Sequence, residues 1–206
     1  MTDNALASGV PVILASASRS RAAVLSNAGV RIEQDPADID EDSIKESMRG
    51  AGRSVADVAH RLAELKALRV SARHPGRLVI GADQMLQCGG MWFDKPVDRN
   101  HALGHLRALR GRMHELFAAV CVVRDGECLW RHLESARMTM RPFSDAFLEA
   151  YVDAVGEDVC RSVGAYQLEG LGAQLFARIE GDFFTILGLP LLAVLEFLSN
   201  HGVVKK

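Results

Sequence analysis

The alternation of apolar and polar positions predicts strands that are interleaved with helices. Short apolar runs at residues 11–15 and 78–82 are rich in aliphatic and β-branched side chains, which is typical of strands in the middle of a sheet. Extended runs at residues 114–123 and 127–140 flank Asp125-Gly126, a dipeptide that favours a two-residue hairpin turn. The sheet is therefore expected to contain at least one long antiparallel hairpin as well as central strands.

The remaining segments show the apolar spacing and the capping residues of helices. Serine or aspartate begins most of these segments and can cap the first turn, and glycine follows several of the last turns. The predicted helices cover residues 18–28, 54–72, 98–111, 144–156 and 190–199; residues 35–46 are expected to be irregular, and extended runs flank Gly89-Gly90 and cover residues 170–179. Helices interleaved with strands, two of which form a hairpin, predict an α/β protein with a mixed sheet and flanking helices.

Size and composition are those of a globular chain. With 206 residues, nearly half of them hydrophobic, the chain is expected to form a single domain over residues 1–206, with two lobes rather than separable domains. The formal net charge of −2 gives no general attraction to nucleic acids or anionic membranes, and no apolar run approaches the ~20 residues of a spanning helix. We therefore expect no stable nucleic-acid binding and no membrane association.

The cysteines and the start of the chain favour the cytoplasm. The four cysteines are scattered and include no Cys-x-x-Cys pair, so neither a zinc site nor a disulfide framework is expected, and reduced thiols are the default. Residues 1–4 lack the positively charged region of a secretory signal.

The apolar strand that begins at Leu78 leads into a carboxylate at Asp83. A charged side chain where a buried strand leaves a sheet needs a partner or a chemical function, because removing an unpaired charge from water is costly. In open α/β sheets, ligands bind at this edge. An ordinary aspartate that only forms a turn is the alternative that this position alone leaves open.

Residues 14–21 combine small hydroxyl side chains with arginines at the predicted junction of a strand and a helix. The free N–H groups of a helix start, together with Ser16, Ser18 and Arg21, would suit an anion such as a phosphate. The glycines and the Lys-Ser/Thr pair of a Walker loop are missing. Considered alone, the segment favours a simpler interpretation, in which Ser18 is only a helix cap and the arginines are only solvated.

Lys66 falls on the apolar stripe of the helix predicted over residues 54–72. A lysine at such a position must either extend its amine to solvent or meet an anion, and the pattern leaves both open. Glu64 and Lys45, by contrast, are predicted to lie on solvent-exposed faces.

A second carboxylate comes from the acidic residues 38–41. Most such clusters are solvated, but Glu41 near Asp83 would complete a two-carboxylate site for a divalent cation, which favours hard oxygen ligands. Lys95 is held next to the rigid Pro96 and could reach a phosphate, although one exposed lysine by itself is weak evidence.

Residues 164–172 contain three glycines, which predict tight turns or a close approach of the backbone to a ligand. Glu169 in this loop is a candidate acceptor for N–H groups of a nucleobase; the alternative is a structural loop with an exposed glutamate. His114 and the other histidines lack metal-ligand spacing, so core or surface roles are expected for them.

Taken together, these segments resemble the Maf-like nucleotide pyrophosphatases, in the same order and over nearly the whole chain. The motifs are Leu-Ala-Ser-x-Ser-x-x-Arg at residues 14–21, Asp-Glu at 40–41, Leu-Ala-x-x-Lys-Ala at 62–67, Gly-Ala-Asp at 81–83, Lys-Pro at 95–96, Gly-x-x-His at 111–114, Gly-Ala-Tyr-x-x-Glu-Gly at 164–170 and Gly-Leu-Pro-Leu at 188–191. Each motif is short, but the ordered set is highly specific.

The resemblance implies an elongated α/β fold like that of inosine triphosphatases, with two lobes and a central cleft. It implies hydrolysis of a nucleoside triphosphate between the α and β phosphorus atoms, a divalent cation such as Mg²⁺ or Mn²⁺, a homodimer and a cytoplasmic location. By the family pattern, Asp83 is the catalytic base and shares the metal with Glu41, and the substrate-binding residues are Ser16, Ser18, Arg21, Lys66 and Lys95. Members of the family have also been linked to septum inhibition.

Three positions bear on the preferred base: Ser20, Gln84 and Glu169. Members that act on dTTP and UTP often have arginine, threonine and glutamine there, whereas Gln84 and Glu169 resemble relatives that prefer 7-methyl-GTP. A glutamate can accept hydrogen bonds from the N1 and N2 hydrogens of guanine. Ser20 departs from both groups. An inosine or xanthosine triphosphatase and a non-catalytic, nucleotide-sensing protein that affects cell division remain alternatives.

Overall fold

The structure, a computed structural model, describes residues 9–205, so the expectation about residues 1–4 lies outside the described residues. The strands are β1 (Val12–Leu14), β2 (Ile32–Gln34), β3 (Val79–Cys88), β4 (Met91–Phe93), β5 (Met113–Arg124), β6 (Glu127–Met140) and β7 (Phe176–Glu180). The α-helices are α1 (Arg19–Asn27), α2 (Glu41–Gly50), α3 (Val55–Ser71), α4 (Arg99–Leu109), α5 (Asp145–Val155), α6 (Phe183–Ile186) and α7 (Leu191–Asn200), and 3₁₀ turns cover Gly156–Arg161, Val163–Ala165 and Leu171–Leu175.

The strands form one mixed sheet in the order β2-β1-β3-β5-β6-β7, with β4 paired to β3. β1 is parallel to both of its neighbours, and Ile13 lies opposite Glu33 on one side and Val79 on the other. β4 is antiparallel to β3, and β7 is antiparallel to β6, where Met138 lies opposite Ile179. The predicted α/β fold with a mixed sheet and flanking helices is confirmed. None of the helices within residues 9–205 has the length and apolar character needed to cross a membrane.

The chain divides into two compact units. The first comprises the chain up to Asp83, the segment Ala118–Glu134 and the chain from Gly188 onward. Its buried side chains include those of the central strands and of one face of α3, namely Ile13, Leu14, Ile80, Val58 and Leu62.

The second unit comprises Gln84–Phe117 and Ser135–Leu187. Its hydrophobic core is formed by side chains of β3, α4, β5, β6 and α5, among them Leu86, Leu106, Leu116, Met138 and Leu148. Each unit therefore has a buried core of its own.

Three predictions of local structure are wrong. The strand predicted at residues 78–82 continues to Cys88, so Asp83 lies in the middle of β3 rather than at its end. Residues 41–50 are helical. Asp40 caps α2, and acidic residues in the first turn stabilise the helix by interacting with the positive end of its dipole. Within residues 170–179, only the part from Phe176 is strand, and Leu171–Leu175 forms a 3₁₀ turn.

Candidate active site

Lys66 of α3 bridges two carboxylates within the first unit. Its Nζ lies 2.6 Å from Oδ1 of Asp83 in β3 and 2.8 Å from Oε1 of Glu41, the first residue of α2. Lys66 and Asp83 are buried, whereas Glu41 is partly exposed. Of the two interpretations that the apolar stripe left open for Lys66, the one in which the lysine meets an anion is confirmed.

The helix that carries Lys66 is fixed at its start and along its buried face. Ser54 and Asp57 form a capping box, in which each side chain accepts a hydrogen bond from the other residue's backbone N–H. Val58 and Leu62 lie fully buried on the face that also carries Lys66. The sequence therefore places a charged side chain on a face that packs into the core.

Gly81 allows α3 to lie directly against β3. A Cβ atom at this position would lie 2.1 Å from the carbonyl oxygen of Ala63 and 2.7 Å from the amide nitrogen of Ala67, so only glycine fits. Ala63 and Ala67 flank Lys66 on α3, and Gly81 precedes Asp83 by two residues on β3. The close contact between helix and strand therefore brings the ammonium to the carboxylate.

The second carboxylate oxygen of Asp83 has no protein donor. Within residues 9–205, Oδ2 of Asp83 is buried and accepts no hydrogen bond. Burial raises the pKa of Asp83, and the opposing effects of Lys66 and Arg21 only partly offset it, while Glu41 raises this pKa further. A carboxylate with a raised pKa is a stronger base than a solvated one, and its bare oxygen can accept a proton or bind a cation.

Arg21 is held in place by two acceptors. Its Nε donates to the carbonyl oxygen of Gly188 at 2.8 Å, and its Nη1 donates to Oγ of Ser16 at 3.0 Å. Burial lowers the pKa of Arg21, whereas the charges of Asp83 and Glu41 raise it. Arg21 thus interacts electrostatically with the carboxylates of the cluster. The interpretation of Arg21 as a merely solvated side chain is wrong.

Ser16 and Ser18 organise the backbone around this arginine. Oγ of Ser18 accepts a hydrogen bond from the backbone N–H of Arg21 at 3.3 Å, which confirms the predicted helix cap. Oγ of Ser16 accepts another from the N–H of Ser18 at 3.2 Å, and Nε2 of Gln34 donates to the carbonyl oxygen of Ser16 at 3.0 Å. Contact of either serine with a substrate stays a prediction.

Sequence reasoning missed Gln34 and Gly188 as supports of this segment. Gln34 acts through its side-chain amide and Gly188 through its backbone carbonyl. Neither residue lies near Ser16 or Arg21 in the sequence. A lone glutamine in a three-residue strand gives no signal that could have identified it.

The two carboxylates suit a hard divalent cation. Within residues 9–205, no group of three or more His, Cys, Asp or Glu side chains is arranged to hold a metal ion. Mg²⁺, however, is commonly held by only one or two carboxylates, with water and substrate phosphates completing its shell. Glu41 and Asp83, one with a buried and unpartnered oxygen, fit a cation that arrives with a polyphosphate.

The remaining predicted site residues are Ser20, Gln84, Lys95 and Glu169. Ser20 is partly buried in the first turn of α1, and Lys95 and Glu169 are exposed residues of the second unit. Nε2 of Gln84 donates to the carbonyl oxygens of Thr185 and Ile186, at 3.1 and 3.0 Å. The roles of these four residues toward a substrate stay predictions.

Two simpler expectations had different outcomes. His114 is buried in the second unit, with Nε2 2.8 Å from the hydroxyl oxygen of Tyr166, so the predicted core role is confirmed. Glu64 and Lys45 were expected on solvent-exposed faces, but their side chains are only 16% and 15% exposed. For Glu64 the reason is tertiary, because Arg61 and Arg131 both bind its carboxylate.

Comparison with known proteins identifies the family. Residues 11–201 match the family model described as Maf-like protein. This chain is a member of the Maf-like protein family. It is 58% identical to the nucleoside triphosphate pyrophosphatase of Paramagnetospirillum magneticum over 190 residues, which covers 92% of this chain and 98% of the relative.

Other relatives of this Maf-like protein carry related names. It is 53% identical to the nucleoside triphosphate pyrophosphatase of Rhodospirillum rubrum, over 94% of this chain and 96% of the relative. It is 50% identical to the 7-methyl-GTP pyrophosphatase of Rhizobium meliloti, over 94% and 97% of the two chains. Among solved structures, the dITP/XTP pyrophosphatase of Mycobacterium abscessus aligns over 94% of this chain and 95% of its own, with 16% identity and a TM-score of 0.42. A TM-score of this size does not establish a shared fold.

Proposed function

We propose that this Maf-like protein is a nucleoside triphosphate pyrophosphatase, which hydrolyses the anhydride between the α and β phosphates and releases a monophosphate and pyrophosphate. The observation that carries the proposal is the charged cluster of the first unit. Lys66 forms ion pairs with Glu41 and Asp83, and Arg21 interacts electrostatically with both carboxylates. One oxygen of Asp83 is buried without a hydrogen-bond donor. The names of relatives at 50–58% identity support the same activity.

Asp83 orients and deprotonates the attacking water in this proposal. Its raised pKa makes it a better base than a solvated aspartate, and Oδ2 is the oxygen that takes the proton, because Oδ1 is bound to Lys66. Water can attack the α phosphorus and displace pyrophosphate directly, so no covalent intermediate with the protein is required.

Positive side chains stabilise the negative charge that develops on pyrophosphate as it leaves. Lys66 and Arg21 are the cations that the structure places in the cluster, and both are held by protein acceptors before a substrate arrives. Groups fixed in this way stabilise a transition state without first having to reorganise. By the family pattern, Lys95, Ser16 and Ser18 also contact the phosphates.

A divalent cation, Mg²⁺ or Mn²⁺, is proposed to be held by Glu41 and Asp83. When bound, it would neutralise charge on the triphosphate and polarise the phosphate oxygens. Lys66 binds both carboxylates, so its ammonium would compete with a bound cation for them.

The preferred base is proposed from Gln84 and Glu169, with Ser20 as a third position of interest. The relative from Rhizobium meliloti is named for 7-methyl-GTP, and the exposed carboxylate of Glu169 is suited to the N–H edge of a guanine. Both amide hydrogen-bond donations of Gln84 are directed to backbone carbonyls, so Gln84 acts by shaping the site through Thr185 and Ile186.

The assembly and cellular setting are also proposals. We infer a cytoplasmic homodimer that removes non-standard nucleotides, with a link to cell-division arrest, from the family resemblance. Light scattering of the purified protein tests the dimer: a mass of twice 22.4 kDa supports it, and a monomer at micromolar concentration contradicts it.

A panel of nucleotides tests the activity. UTP, dTTP, GTP, 7-methyl-GTP and ITP are each incubated with the protein and Mg²⁺ or Mn²⁺, and the phosphate products are separated. Pyrophosphate with a monophosphate supports the proposal, whereas inorganic phosphate with a diphosphate contradicts it. Preference for ITP would favour an inosine triphosphatase, and tight binding without turnover of any nucleotide would favour a sensor.

A further inference from the structure

The first unit also holds two cysteines in direct contact, neither of which is among the residues assigned to catalysis. Sγ of Cys121 in β5 lies 3.3 Å from Sγ of Cys128 in β6, and both are free thiols. The strands are joined by Asp125-Gly126, whose φ angles of 52° and 79° match the two-residue turn that the sequence predicts. Such a turn places Val123 opposite Cys128, with Cys121 two residues away on the same face of the hairpin.

The geometry is close to that of a disulfide. An S–S bond is about 2.0 Å long, so the sulfur atoms, now 3.3 Å apart, need to approach by only ~1.3 Å. Rotation of the two side chains can supply part of this movement. Because Cys121 lies diagonally from Cys128 and not directly opposite it, closing the bond also needs a small shift of the two strands toward each other.

The two thiols have different surroundings. Cys121 is buried, and burial raises the pKa of its thiol to about 12. Cys128 is only partly buried, and Nε of Arg131 donates a hydrogen bond to its Sγ at 3.2 Å. A cationic donor on a sulfur stabilises negative charge there, which favours nucleophilic attack by that sulfur.

Arg131 is itself positioned by α3. Its guanidinium pairs with the carboxylate of Glu64, which also accepts a hydrogen bond from Arg61 at 3.0 Å. The sequence thus supplies an accessible thiol, a fixed cation beside it and a second thiol in contact behind it. These are the parts of a thiol pair that is oxidised and then closes to a disulfide.

We propose that Cys121 and Cys128 form a reversible redox site that reduces hydroperoxides, with Cys128 as the attacking cysteine and Cys121 as the resolving one. Cys128 sulfur attacks the peroxide, an S–O bond forms as the O–O bond breaks, and water leaves when the oxidant is hydrogen peroxide. Cys121 sulfur then attacks the sulfenic acid, the S–S bond forms, the S–O bond breaks, and the departing hydroxide takes the thiol proton as a second water. Two electrons pass from the two thiols to one peroxide, and a dithiol reductant restores the pair.

Trypsin makes the disulfide directly visible. Cleavage after Arg112, Arg124 and Arg131 separates residues 113–124 from residues 125–131, so only a disulfide keeps the two peptides together. The full-length protein is treated with stoichiometric hydrogen peroxide, alkylated under denaturing conditions, digested and analysed by mass spectrometry. The linked peptide pair is expected, and dithiothreitol should convert it back to two separately alkylated peptides.

Matched variants separate this site from general thiol oxidation. Cys121→Ser and Cys128→Ser should each abolish the linked pair, whereas Cys160→Ser, which removes another partly exposed thiol, should not change its yield. Arg131→Gln should slow its formation several-fold. Recovery of two alkylated peptides while Cys160 becomes oxidised would overturn the proposal, as would Cys128 linked mainly to another cysteine or to a second chain. A Cys121→Ser variant in which Cys128 resists peroxide would also contradict the assigned order.

Discussion

Gly81 of β3 and Ala63 of α3 approach so closely that a Cβ atom on Gly81 would lie 2.1 Å from the Ala63 carbonyl oxygen. The contact is between backbone groups, so no side-chain rotation can relieve it. It sets the spacing between the helix that carries Lys66 and the strand that carries Asp83. The short Lys66–Asp83 ion pair thus depends on a residue that takes no part in the chemistry.

Gly81→Ala is expected to destabilise the protein by about 3 kcal/mol, because overpacking at a contact without flexible neighbours forces the backbone apart. It should also lower pyrophosphate release, since Lys66 would move away from Asp83. Urea denaturation and a turnover assay measure the two effects.

Gly104→Ala is the matched control. Gly104 lies within α4, and an added Cβ would meet nothing within 4 Å, so this change should stabilise the protein by up to about 1 kcal/mol. Equal stability of Gly81→Ala and the wild type would show that the close contact can relax.

Asp83→Asn is expected to lower kcat by at least ~100-fold, since the amide cannot act as a base. The same substitution is not expected to lower the stability of the folded protein. The folded-state pKa of Asp83 is raised, so the ionised group costs stability as the pH rises above the range in which a solvated aspartate titrates. Glu41 still pairs with Lys66 in this variant, so the ammonium keeps an anionic partner, and the variant should melt at the same or a higher temperature than the wild type at pH 8.

Calorimetry at pH 8, alongside pyrophosphate release, tests both halves of this prediction. Asp42→Asn is the control for turnover, because that carboxylate is 90% exposed on α2. Undiminished turnover by Asp83→Asn would remove Asp83 from the role of base.

Lys66→Met leaves two carboxylates facing each other without their shared cation. Removing one partner from a buried ion pair costs about 3–5 kcal/mol, and loss of Lys66 also raises the pKa of Asp83 further. The loss of stability should be larger at pH 8 than at pH 5, because the raised pKa of Asp83 makes its ionised form more costly as the pH rises. Denaturation at the two pH values measures this difference.

Arg178→Met provides the comparison for Lys66→Met. Arg178 Nη2 lies 2.7 Å from Oε1 of Glu180 on the same strand, both side chains are exposed, and a pair of this kind contributes about 0–1 kcal/mol. If both variants lost the same stability at both pH values, the buried pair would not be the reason.

Much of the fold could be predicted because local patterns agree with it. Residues that are close together in the sequence are enough to predict several elements. These are the Asp125-Gly126 hairpin, the Ser54 cap of α3 and the apolar stripe along that helix. The end of β3 was missed, because Asp83 and Gln84 interrupt an apolar run that nevertheless continues as strand. Polar residues that interrupt an apolar run can therefore mark a functional site inside a strand as well as the end of the strand.

Only part of the candidate site could be predicted from the sequence. The stripe shows that Lys66 must find an anion or reach solvent, but it does not choose Glu41 and Asp83, which lie 25 and 17 positions away. Glu64 was misjudged for the same reason, because its partner Arg131 comes from β6. Pairings across the fold depend on packing, and a periodic pattern on one helix does not encode them.

His114 predicts a pH dependence of stability that is independent of catalysis. Burial lowers its pKa from 6.5 to about 4, and Nε2 is bound to the hydroxyl group of Tyr166. In the unfolded chain the imidazole takes up a proton below about pH 6.5, whereas the folded protein resists it until about pH 4. Stability should therefore be fully present above pH 6.5 and fall as the pH drops toward 4, by about 3 kcal/mol from this group.

His114→Gln removes this titration, and its amide can still reach the Tyr166 hydroxyl. The wild type should be more stable than the variant at pH 7.5, and this difference should shrink steadily between pH 6.5 and 4.5 in a series of urea denaturation curves. His101→Gln is the matched control, because His101 is exposed and its replacement reports the effect of exchanging an exposed histidine for glutamine. A constant difference between the wild type and His114→Gln would mean that the imidazole has the same pKa in the folded and the unfolded protein, contrary to the effect of its apolar surroundings.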